Sequence, residues 1–70
     1  MLKKLSEYNN EFGTVALFKS ETAFVIEYST KTSGIFNMVL ERKPTYDDAM
    51  QRFDVYQVSL KNQERKQWSR

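Results

Sequence analysis

The stretch that decides the fold is TYDDAMQRFDVYQVSLKNQERKQW, residues 45–68. Within it Tyr46, Ala49, Met50, Phe53, Tyr56 and Leu60 recur at intervals of three and four. At about 100° per residue they fall within roughly 60° of Phe53 on a helical wheel, one stripe suited to burial. Pro44 stops the preceding segment and drives Lys43 into extended backbone. Thr45 is placed to cap the helix, its hydroxyl accepting from the amide of Asp47 or Asp48. Those two acids then sit at the positive end of the helix dipole, with Lys61, Arg65 and Lys66 near the negative end. Period, cap and charge agree on a helix over residues 45–68, polar from about Gln63 onward.

Working back from the helix, the chain alternates between β-rich runs and turns. TVALFK (14–19) and TAFVIEYST (22–30) carry the β-branched and aromatic residues of strands, with Ser20-Glu21 as a tight turn between them. A polar turn, KTSG (31–34), leads to IFNMVLER (35–42), which alternates again. The expectation is a three-stranded antiparallel meander over residues 13–42, with Phe24, Ile26, Tyr28, Phe36, Met38 and Leu40 facing the helix. Val15/Leu17 and Ala16/Phe18 are equally good inward pairs for the first strand. Residues 1–12 fit a short helix by the spacing of Leu2, Leu5, Tyr8 and Phe12. A short strand turning at Asn9-Asn10 is the alternative. The fold class is thus α+β in two layers, a single small domain over residues 1–70: a meander under one long C-terminal helix, with or without a short N-terminal one.

Seventy residues hold one domain with a modest core. The absence of cysteine and histidine removes disulfides, thiolate and imidazole nucleophiles, and zinc sites of the usual kind. Gly13 and Gly34 are the only glycines, and neither lies in a phosphate-wrapping run. Asp47 and Asp54 share a helix side but lie about 10 Å apart along the axis, too far for work on one bond. No catalytic residue, metal ligand or cofactor is expected, and no small-molecule substrate. No apolar run approaches the ~20 residues of a membrane span, and no signal-peptide core is evident, so the expected setting is cytoplasmic.

If residues 1–12 are helical, the order helix, three strands, helix is similar to that of double-stranded-RNA-binding domains. The likeness is one of topology. That family gathers lysines at the start of its last helix to grip phosphates, where this chain has Asp47 and Asp48. A nucleic-acid surface would instead use the C-terminal run, where Lys61, Arg65, Lys66 and Arg70 flank Trp68 with only Glu64 opposing them.

Two further surfaces invite a protein partner. Val55 and Val58 lie on the back of the helix, about 200° and 140° from Phe53, beside Gln51. Val25, Ile35 and Val39 are expected on the sheet face away from the helix. The strand edges at 12–19 and 35–42 carry neither proline nor an inward charge, so edge pairing, including homo-oligomerisation, is open to them. The leading expectation is a small non-catalytic protein-binding or regulatory module of the adaptor, antitoxin-like or inhibitor type. The alternative is a nucleic-acid-binding accessory protein.

Overall fold

A computed structural model describes residues 2–32 and 35–68, the side chains of 32, 35, 36 and 66–68 excepted. Four strands precede one helix: β1 (Lys3–Asn10), β2 (Gly13–Lys19), β3 (Phe24–Thr32), β4 (Ile35–Lys43) and α1 (Tyr46–Trp68). The strands form a single antiparallel sheet in the order β1-β2-β3-β4. The α+β class and the C-terminal helix are as expected. The strand count is four rather than three, because the N-terminal segment is β1 and not a helix.

Two features of β1 conceal it. Its composition, KKLSEYNN, is poor in strand formers. Its alternation is also broken: Lys4 pairs with Phe18 and Ser6 with Leu17, leaving Leu5 as an extra residue in a bulge. The bulge brings Lys4 and Glu7 to the same face, where they form a 3.4 Å ion pair. An unbroken strand would point residues three apart to opposite faces. The turn falls at Glu11-Phe12, not at Asn9-Asn10: Asn10 pairs with Gly13, and its side-chain oxygen accepts from the Phe12 amide at 2.9 Å. With β1 a strand, the element order of the RNA-binding family is absent.

Loop lengths decide the faces. Lys19 pairs with Phe24 across four residues, tied by the Ser20 hydroxyl accepting from the Ala23 amide at 3.0 Å. Thr32 pairs with Ile35, with two residues between. An even number of intervening residues sets odd positions opposite even ones. Val15 and Leu17 therefore lie beside Tyr28 and Ile26, and these in turn beside Val39 and Glu41. This settles the first strand in favour of Val15/Leu17, both fully buried. It also overturns the expected inward set of β4. Met38 and Leu40 stand on the outer face, opposite Ser29 and Glu27, and Phe36 shares their register parity, its side chain lying outside the described residues.

The core lies between sheet and helix. Val15, Leu17, Ile26, Ala49, Phe53 and Leu60 form it, with Tyr8, Phe12, Phe24, Tyr28, Met50 and Tyr56 packed around them. Burying each large member contributes about 1.5–3 kcal/mol. The helix begins as expected, with Thr45 Oγ1 accepting from the Asp48 amide at 3.3 Å. It then crosses diagonally. Near its start Tyr46 meets Phe24 edge-on at 5.7 Å and Arg52 reaches Glu41 of β4. Near Leu60 it reaches β1, where Asn10 Nδ2 donates to the Leu60 carbonyl at 3.0 Å.

Candidate interaction surfaces

The polar chemistry on the helix side of the sheet is engaged in holding the layers together. Arg52 grips Glu41 with two nitrogens, Nε to Oε1 at 3.1 Å and Nη2 to Oε2 at 2.9 Å, and Nη2 also donates to the Tyr56 hydroxyl at 2.9 Å. Lys43 Nζ adds a longer contact to Glu41 at 3.8 Å. The Arg52 guanidinium lies 4.9 Å from the Tyr56 ring centre, and Tyr56 stacks on Tyr28 at 4.2 Å. The hydrogen bonds to Glu41 raise the Arg52 pKa above its ordinary value; burial opposes this and the carboxylate charge adds to it. A saturated cluster of this kind clamps β4 to α1 and presents no idle acid or base. Among the described residues there is no cavity and no group of three metal-ligating side chains. No described helix is long and apolar enough to cross a membrane.

The outer face of the sheet has no second layer among the described residues. The register sets Lys4, Phe18, Val25 and Arg42 in one row, Glu7, Ala16, Glu27 and Leu40 in the next, and Asn9, Thr14, Ser29 and Met38 in the third. Phe18 and Val25 are direct neighbours, Leu40 is diagonal to Val25, and Met38 follows Leu40 two residues away on the same strand. These four make a continuous apolar diagonal from β2 to β4. Leu40 is 62% exposed and Met38 54%, while Phe18 and Val25 are half-buried. Lys4 lies over the Phe18 ring at 6.0 Å, and Arg42 and Glu27 flank the stripe.

Of the expected sheet residues, Val25 lies on this outer face as anticipated. Val39 does not: it pairs with Tyr28 on the helix side, although at 43% it stays exposed because the helix lies mainly over β2 and β3. Ile35 pairs with Thr32, and its side chain lies outside the described residues. Met38 and Leu40 are the members that pattern reading missed, and the even loop after β3 was the signal that could have found them.

The helix back is as expected. Val55 and Val58 are each 53% exposed, with Gln51 exposed beside them. The basic end is partly engaged: Lys61 Nζ lies 5.4 Å from the Tyr8 ring centre, tying the helix to β1, and Arg65 also has an interaction partner. The side chains of Lys66 and Trp68, and all of Arg70, lie outside the described residues. The structure does not bring the basic end and the valines into one site.

Comparison with known proteins returns no matching family model, no matching curated protein and no matching solved structure.

Proposed function

We propose that this chain is a non-catalytic protein-binding module that meets its partner through the outer face of the sheet. The observation that carries this reading is the Phe18-Val25-Leu40-Met38 diagonal: two of its members are more than half exposed, and polar and charged residues rim it. An uncovered apolar strip with a charged rim is the usual form of a protein-protein contact surface. Val55 and Val58 on the helix back form a smaller second patch, separated from the first by the thickness of the molecule. Lys61, already placed on Tyr8, supports a structural reading of the helix end over a nucleic-acid one.

The test is affinity capture with identification by mass spectrometry after nuclease treatment. Three baits are compared: the unaltered chain, Met38→Lys with Leu40→Lys, and Val55→Glu with Val58→Glu. The proposal expects a partner that survives nuclease, is lost with the sheet-face variant and is kept with the helix-back variant. Loss with the helix-back variant alone moves the interface to the valines. A partner released by nuclease, with log K falling by roughly 0.7–0.9 per contacted phosphate per log unit of salt, replaces the proposal with nucleic-acid binding at the basic end.

A further inference from the structure

The two edges of the sheet are not equivalent. β1 is guarded: it carries Lys3 and Lys4, and the bulge at Leu5 breaks its register, both recognised defences against edge pairing. β4 runs nine residues from Ile35 to Lys43 in unbroken register with β3. Among the described residues no strand pairs along its other side, so there its outward amides and carbonyls have no ladder partners. Its helix side carries Lys43 and Glu41, and Glu41 is an exception to the sequence expectation of an edge without an inward charge. Both of its carboxylate oxygens are held by Arg52 of the helix.

The order of residues along β4 complements itself. An antiparallel pair of β4 strands related by a twofold axis through Val39 uses the whole strand, since Val39 is the midpoint of Ile35–Lys43. In that register Val39 faces Val39 of the copy, Met38 faces Leu40, Asn37 faces Glu41, Phe36 faces Arg42 and Ile35 faces Lys43. No two like charges are opposed, and Leu40 and Met38, the most exposed apolar side chains described on the strand, meet each other. Moving the axis by one residue to Met38 or Leu40 shortens the ladder at both ends. Moving it to Glu41 or Arg42 sets like charges face to face, which destabilises a sheet pair. We propose that the β4 edge is the pairing site for a second copy of this chain, joining two sheets into one of eight strands centred on Val39. The axis is perpendicular to the sheet, so both helices stand on the same face. Each lies mainly over β2 and β3, about two strand spacings of ~4.8 Å from the axis, clear of its counterpart. The proposal shares Met38 and Leu40 with the outer-face reading, but its centre, Val39, lies on the opposite side of the sheet from the Phe18-Val25-Leu40-Met38 diagonal, so substitution at Val39 tests it separately.

The native chain has no cysteine, so single cysteines report the register. Val39→Cys places two thiols directly across the axis, whereas Asn37→Cys places them about 14 Å apart, four residues of strand rise, beyond disulfide reach. Under mild oxidation the proposal expects Val39→Cys to form a covalent dimer at least about tenfold faster than Asn37→Cys. It also expects a mixture of Met38→Cys and Leu40→Cys to cross-link faster than either alone. Sedimentation of the unaltered chain should show dimer growing with concentration, and Val39→Lys, setting two charges face to face, should abolish it while circular dichroism confirms a folded monomer. Equal cross-linking rates for Val39→Cys and Asn37→Cys overturn the register, and an unaltered chain that stays monomeric to several hundred micromolar overturns the dimer. A Val39→Lys chain that remains folded and dimeric overturns it as well.

Discussion

At the scale of single residues, Gly13 shows why a small core is intolerant. A Cβ added there would collide with the Ser29 carbonyl oxygen and crowd Leu60 Cδ2 and Thr30 Cα, each 3.1 Å away. Two of these three obstacles are backbone and cannot swing aside. Gly13→Ala is therefore expected to lower stability by about 1–3 kcal/mol, read from the urea midpoint. Leu40 makes the opposite case. It is among the larger apolar residues of the chain yet stands on the outer face, so at concentrations where the chain is monomeric Leu40→Lys is expected to change stability by no more than about 0.5 kcal/mol. Leu17→Lys, which buries a charge in the core, should prevent folding. A large loss from Leu40→Lys would return Leu40 to the core and contradict the register of β3 with β4.

At the scale of elements, the helix was the most legible part of the sequence. Its stripe, its cap and its charges are local, and all lie where the chain says they should. Tyr46 alone sits at the margin, half exposed but edge-on to Phe24. The strands were harder. Period two tells which residues share a face but not which face is inward, and β4 carries larger apolar residues on its even positions than on its odd ones. Only the parity imposed by an even loop reveals that Val39, not Met38 and Leu40, shares a face with Tyr28. β1 was hidden by its bulge and by polar residues whose strand state comes from pairing with β2 rather than from propensity. Its link to the helix is specific, through Asn10 to the Leu60 carbonyl and the Phe12 amide. Asn10→Ala should cost about 1–3 kcal/mol and raise amide exchange at the β1-β2 turn before that at β3. The clamp between β4 and α1 has its own signature. Because folding raises the Arg52 pKa, its contribution is complete below the unfolded value and is lost only as pH rises through the higher, folded one. Arg52→Met should therefore lower the melting temperature by a similar amount throughout neutral and mildly alkaline pH. A deficit that grows or fades within that range would show another group to be responsible.

At the scale of the whole molecule, among the described residues one helix covers one face of a four-stranded sheet and nothing covers the other. A chain of this size buries only about 60–65% of the surface its unfolded form exposes, so pairing with another surface adds stability that the single chain lacks. The outer diagonal was only partly legible: Val25 could be read from alternation, while Met38 and Leu40 required the register. The pairing propensity of the β4 edge could be read as an unprotected strand, but its difference from β1 required the bulge at Leu5. If two copies join at β4, the outer diagonals of both become one band across eight strands, and the surface offered to a partner doubles. The most direct measurement is residue-resolved hydrogen exchange of the strand amides at low and high protein concentration. The account predicts that the β4 amides pointing away from β3 slow as concentration rises, while the unpaired amides of β1 exchange at an unchanged rate. Exchange at β4 that is independent of concentration, or protection that grows equally at β1, would contradict it.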